Sequence, residues 1–152
     1  MKYSLTSDFK ITETGVKVFR IKAEISFGNV SKGELGGWIE KEDNLDQYGS
    51  AWVYDSARVY GSAMVYGDAR VYGDARVYGS AKVKFTPTVL QGYCKWPITK
   101  TDKYLFVGCK HNTFDNWIKW LDGKEEFETK RGTKEFELIE KAIRFLCESE
   151  VK

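Results

Sequence analysis

Between Ala51 and Val89 the chain reads Ala51-Trp52-Val53-Tyr54-Asp55-Ser56, Ala57-Arg58-Val59-Tyr60-Gly61-Ser62, Ala63-Met64-Val65-Tyr66-Gly67-Asp68, Ala69-Arg70-Val71-Tyr72-Gly73-Asp74, Ala75-Arg76-Val77-Tyr78-Gly79-Ser80, then Ala81-Lys82-Val83. The period is six, and Val89 still keeps it after the phrase has decayed into Lys84-Phe85-Thr86-Pro87-Thr88. A helix does not explain this spacing, because residues six apart at 3.6 per turn point in different directions. A strand does. Within Ala-x-Val the two small apolar residues share a face, while the intervening residue and the following Tyr take the other. Gly-Asp and Gly-Ser then supply turn chemistry, Gly by accepting positive φ and Asp or Ser by bonding nearby backbone. Short strands alternating with corners predict a coil lined by valine and alanine.

The flanking segments are read outward from this repeat. On the N-terminal side, Tyr3-Ser4-Leu5 and Gly15-Val16-Lys17-Val18-Phe19-Arg20-Ile21-Lys22-Ala23 read as strands joined by a turn at Thr14-Gly15. This piece, residues 1–27, is expected to cap the open end of the repeat, since such an end exposes unpaired backbone and apolar lining. From Phe27 to Leu45 glycines and Asn29 mark turns, with Val30, Leu35, Ile39 and Leu45 as inward positions of an irregular first coil. The expected repeat unit is residues 28–90, and Pro87 suits its last, edge-like turn.

Residues 91–152 read as a terminal subdomain. Tyr104-Leu105-Phe106-Val107-Gly108-Cys109 reads as a buried strand. Thr113 is a candidate N-cap ahead of Phe114, Trp117, Ile118 and Leu121, and Gly123 ends that helix. A second helix is expected from about Lys134 to Glu148, capped by Thr133, with Phe136, Ile139, Ala142, Ile143 and Leu146 on one stripe. The fold class read from these signals is mostly β: a short parallel β-helix, with an N-terminal strand cap and a C-terminal two-helix cap.

The repeat, read as Val-Tyr-Gly-Asp-Ala-Arg, resembles the hexapeptide repeat of left-handed parallel β-helix proteins. In that family three hexapeptides make one coil, which implies that Arg58 stacks on Arg76, Tyr60 on Tyr78 and Tyr54 on Tyr72. Here Tyr follows the valine and Gly comes one place later than in the commoner motif. The segment Gly33-Glu34-Leu35-Gly36-Gly37-Trp38-Ile39-Glu40, preceded by Arg20-Ile21-Lys22-Ala23, looks like the opening of uncharacterised bacterial and phage proteins of this repeat type, a non-catalytic branch of the acyltransferase-like superfamily. Gly108 to Trp117 resembles their recurrent ending, with His111 and Asn112 offset. The resemblance implies an architecture, and a phage- or prophage-encoded effector as its setting.

Composition bounds the chemistry. The chain has 152 residues and a net charge of +2, so any polyanion site must be local. Three cysteines, Cys94, Cys109 and Cys147, lack the pattern of a disulfide framework. Neither an apolar leader nor a membrane-length apolar run is present in the sequence, and a cytoplasmic, membrane-independent protein is expected. Many proteins with this repeat are acyltransferases that need a His general base, and the single histidine here, His111, lies outside the repeat. Cys109 and His111, two apart on a strand, share a face and are weak candidates for a metal or nucleophile pair without further partners. No phosphate-binding glycine loop or HExxH motif is present, and no cofactor is expected.

What remains is the outward row: Trp52, Tyr54, Arg58, Tyr60, Met64, Tyr66, Arg70, Tyr72, Arg76, Tyr78 and Lys82. Three roles suit it. Arg stems and aromatic rings cover strand exteriors; Tyr, Trp, Met and Arg anchor protein interfaces; and the same residues stack on bases and contact phosphates. The expected function is a non-catalytic binding module, for example an anti-defence inhibitor, docking this face on a host protein or protein–nucleic-acid complex. A degenerate acyltransferase and a nucleic-acid or nucleotide binder are the alternatives, and homo-oligomerisation is a further expectation.

Overall fold

A computed structural model describes residues 1–94, 96–108, 110–124 and 129–148. It corrects the expected fold class. In place of one parallel β-helix closed by caps, the strands are divided among several small, separate sheets of parallel, antiparallel and mixed character. The first contains β1 (Tyr3–Ile11), β2 (Lys17–Ala23), β3 (Leu35–Ile39), β5 (Arg58–Val59) and β8 (Arg76–Val77), in the order β1-β2-β3-β5-β8. β4 (Trp52–Val53) pairs with β7 (Arg70–Val71), and β6 (Met64–Val65) with β9 (Lys82–Val83), as two-stranded parallel sheets. A four-stranded antiparallel sheet follows: β10 (Thr88–Leu90), β11 (Ile98–Lys100), β12 (Tyr104–Val107) and β13 (Lys110–Thr113).

The physical reason for the correction lies at the N-terminus. The β1–β2 hairpin pairs antiparallel with β3, which in turn pairs parallel with β5, so an antiparallel hairpin continues one parallel ladder and makes the sheet mixed. Each repeat strand is only two residues long, because a corner follows every Val-Tyr. The corners take left-handed backbone: Gly49, Gly61, Gly67, Gly73 and Gly79 have φ of 65 to 73°, and Asp55 occupies the equivalent position at φ 52°.

Partners between the two-residue repeat strands are eighteen residues apart, Arg58 opposite Arg76 and Trp52 opposite Arg70. Val53, Val59, Val65, Val71 and Val77 are completely buried with the alanines between them. At the N-terminal side of this core Asn44 is also completely buried. Its Oδ1 accepts from the backbone of Glu40 and Lys41, and its Nδ2 donates to the carbonyls of Gly61 and Ala63. A buried amide with all these bonds made is tolerated; one left unpaired would not be.

The two helices that the spacing predicts are present, α1 over Phe114–Asp122 and α2 over Lys134–Glu148. Thr113 caps α1 by accepting from the Asn116 amide at 3.3 Å, and Thr133 accepts from Phe136 at 3.2 Å. They cover one face of the four-stranded sheet, burying Trp117, Leu121, Ile139 and Ile143 with Leu105 and Val107. Phe106, between those two strand residues, points the other way into the valine core. One alternating strand thus ties two cores together. No described helix is long and apolar enough to cross a membrane.

Lys2 and Tyr3 anchor the N-terminus and carry a pH signature. Lys2 is 3% exposed; its Nζ donates to the Ala51 carbonyl at 2.8 Å and to those of Gly49 and Tyr48 at longer range. Burial lowers its ammonium to about 8, with Asp46 opposing. Tyr3 donates its hydroxyl to the Glu42 carbonyl at 2.9 Å, and burial together with Glu42, Asp46 and Asp43 raises its phenol. Folded Lys2 therefore loses its proton near pH 8, whereas the unfolded side chain keeps it until about 10.4. In that window the unfolded chain holds more protons, so the unfolding free energy is expected to rise with pH. Above pH 10 the sign reverses, because the unfolded Tyr3 ionises first. Urea midpoints measured from pH 7 to 11 should show this maximum, and Lys2→Met should flatten its rising limb; an unchanged rise in that variant would refute the assignment to Lys2.

Candidate functional site

The mixed sheet sets four side chains in one row. Arg20 on β2 lies opposite Trp38 on β3, Trp38 opposite Arg58 on β5, and Arg58 opposite Arg76 on β8. Strand spacing puts such neighbours about 4.8 Å apart at the backbone. Lys10 on β1 adds a fifth member, its Nζ 4.2 Å from the centre of the Trp38 ring, and the Arg20 guanidinium lies 5.6 Å from the same ring. Lys10 and Arg20 thus lie over one indole, and Arg58 and Arg76 continue the row on the next two strands.

Their partners are unequal. Arg20 donates through Nε to the Gly36 carbonyl at 3.2 Å, and Arg76 pairs with Glu13 of the β1–β2 turn at 2.8 Å. The Arg58 guanidinium makes no hydrogen bond or ion pair with any described residue. Lys10 registers the crowding: burial lowers its ammonium, Arg58 and Arg20 push the same way, and Asp74 opposes them. Like charges directly opposite across a ladder are unfavourable unless an anion sits between them.

Beside Arg58 and Arg76 a cleft of about 320 Å³ opens, lined also by Ser56, Asp74, Gln91 and Pro97. Ser56 donates to Asp74 at 2.6 Å, and the Asp74 amide donates to Gln91 Oε1 at 3.0 Å, which fixes the Gln91 side chain by its oxygen.

The outward row expected from sequence is distributed over three ladders. Arg58, Tyr60, Arg76 and Tyr78 come together on the mixed sheet. Tyr60 and Tyr78 stack with centroids 5.2 Å apart, and Tyr60 is 7% exposed; burial raises its phenol, with Arg76 pulling the other way. Met64 and Lys82 are exposed on a second ladder, where Tyr66 and Lys82 line a separate cleft. Arg70 and Tyr72 are exposed and Tyr54 half-buried on the third, burial raising the Tyr54 phenol. Trp52 belongs to no outer face. It is completely buried under Tyr3 and Phe27, at 6.2 and 5.3 Å between ring centres.

Lys10, Glu13, Arg20 and Trp38 joined this site without being singled out beforehand. Arg20 and Trp38 both stood in recognisable segments, but an antiparallel register between them leaves no periodic trace in sequence.

The histidine sits in an aromatic cluster. His111 on β13 stacks on Phe106 at 5.4 Å and meets Tyr78 edge-on at 4.6 Å, and desolvation lowers its pKa. Among the described residues no carboxylate hydrogen-bonds its ring, and no group of three or more His, Cys, Asp or Glu could hold a metal ion. Cys109 lies outside the described residues. Cys94 donates its thiol to the Trp96 carbonyl at 3.2 Å and burial raises its pKa, while Cys147 is buried. No protein-family model matches the chain, and no curated protein matches it.

Proposed function

We propose that the chain is a non-catalytic binding module that docks the row Arg20–Trp38–Arg58–Arg76 on an acidic surface of a partner protein. The observation that carries this reading is the half-buried Arg58 guanidinium, placed opposite Arg76 and making no ion pair or hydrogen bond among the described residues. Guanidinium forks match carboxylates in plane and in charge. The cross-strand register holds them without loop ordering, so little entropy is lost on binding.

Base stacking is less well supported in this row. Both cations over Trp38 already use its ring, and Tyr60 and Tyr78 are stacked on each other. Nucleic-acid binding through stacking needs free rings. The resemblance to phage-type chains suggests a host protein or protein–nucleic-acid complex in the cytoplasm as the partner, and a second copy of this chain is the alternative, distinguished by solution mass.

Arg58→Glu is expected to weaken capture of the partner about tenfold or more, since a central charge at an interface is reversed. Its urea midpoint should stay near that of the wild type, because no internal ion pair is lost. Calorimetry with the partner isolated by pull-down from host lysate measures the first effect. A partner bound equally well by the variant would sink the reading.

A further inference from the structure

We infer that the cleft at the Arg58–Arg76 end of the row is a recognition site for a phosphate monoester dianion, presented as a phosphorylated side chain of the partner protein. This rests on the docking reading above and names the group that is recognised.

Three sets of hydrogen-bond donors converge there. Arg58 brings a guanidinium with no described partner, Arg76 keeps the donors that Glu13 does not use, and Gln91, its oxygen held by the Asp74 amide, has an amide nitrogen that makes no hydrogen bond among the described residues. Ser56 already spends its hydroxyl on Asp74. Among the described residues Asp74 is the one carboxylate lining the cleft, and that hydrogen bond engages one of its oxygens.

Charge then decides the ligand class. Glu13 shows that the Arg76 guanidinium takes a carboxylate, reaching it from an ordered turn in which Thr12 and Val16 are hydrogen-bonded across at 2.8 Å. That carboxylate pairs with one of the two adjacent cations, while Asp74 takes the Ser56 hydroxyl and makes no ion pair with Arg58, so the Arg58 guanidinium keeps its donors for a ligand. A phosphate monoester carries about −1.5 to −2 at pH 7 with three acceptor oxygens, enough to bridge both arginines. Glu13 is not among the residues that line the cleft, and its side chain is 54% exposed against 18% for Arg76, so it holds Arg76 from outside the proposed site. A nucleotide would offer the same phosphate, but its base would find the nearby rings already engaged.

The test is calorimetric titration of the full chain at fixed ionic strength with inorganic phosphate, a phosphoserine peptide, the same peptide carrying glutamate instead, and adenosine monophosphate. The phosphoserine peptide should bind about tenfold or more tightly than its glutamate counterpart, reflecting the stronger charge-assisted bonds to the dianion. Glu13→Gln should tighten phosphate severalfold by removing a negative charge held at Arg76. Arg58→Gln should weaken it about tenfold. Arg70→Gln, on another ladder, should leave it unchanged, and matching urea midpoints would show that the variants are folded. Equal binding of the glutamate and phosphoserine peptides, both lost in Arg58→Gln, would overturn the phosphate inference while leaving the acidic docking face intact. Failure of every peptide to bind would overturn both. Preference for adenosine monophosphate would replace the protein partner by a nucleotide and overturn the inference.

Discussion

Trp52→Ala is expected to destabilise the fold by about 3–5 kcal/mol, the range for truncating a large buried aromatic. Its indole is completely buried and joins three pieces of chain. Tyr3 and Phe27 meet it edge-on, and Gly36 passes so close that a β-carbon there would lie 2.7 Å from the ring. No neighbour can collapse into the space without moving the hairpin or the β3 segment. The Nε1 atom of Trp52 has no hydrogen-bond partner among the described residues, so the indole contributes through packing, and Trp52→Phe should retain much of the stability. Urea denaturation monitored by circular dichroism measures both. A midpoint for Trp52→Ala within experimental error of wild type would contradict the burial of this side chain, and would return Trp52 to the outer row.

The second large effect is expected at Gly37. A β-carbon there would stand 2.6 Å from Val53 Cγ1, 2.7 Å from the Ala57 carbonyl oxygen and 3.0 Å from that of Tyr54. Two of those three atoms are backbone, and the Ala57 carbonyl also accepts from the Trp38 amide at 3.0 Å, so it cannot retreat without breaking the β3–β5 pairing. Overpacking of a closed site costs about 1–3 kcal/mol where side chains can adjust, and Gly37→Ala should reach or exceed the top of that range. Gly123→Ala is the matched control, since its added carbon meets nothing closer than 3.4 Å. If both substitutions shifted the urea midpoint equally, the close approach of β3 to the repeat would be wrong. Gly37→Ala should also weaken anion binding in whatever fraction stays folded, because β3 is the strand against which Arg58 on β5 is paired.

Legibility followed the range of the interactions. Two-residue strands between glycine corners were readable because each hexad repeats its own chemistry, Ala and Val on one side and Gly at the turn. The helices were readable for the same reason, Thr113 and Thr133 sitting one residue before apolar stripes of helical spacing. The N-terminal strands were readable too, but not where they go. Capping predicted a cover over unpaired backbone, and the edge that the hairpin meets is that of β3, in antiparallel register. Backbone edges satisfy any strand of suitable length, so the composition of β1 and β2 does not specify which unpaired row they will meet.

The candidate site divides along the same line. Alternation along the strand placed Arg58, Tyr60, Arg76 and Tyr78 on the outer side of their hexads, a purely local consequence of the pleat. Whether that outer side meets water was a tertiary matter: Tyr60 and Trp52 occupy outward positions of their hexads and are nevertheless buried, one by Tyr78 and the other by Tyr3 and Phe27. By itself the amino-acid order determined the period, the corners, the apolar lining and the helix starts, all of which depend on neighbours within a few residues. Only the tertiary structure brought Lys10, Glu13, Arg20 and Trp38 alongside Arg58 and Arg76, because the pairing of a hairpin with a distant strand is set by register and edge availability, which no local pattern encodes.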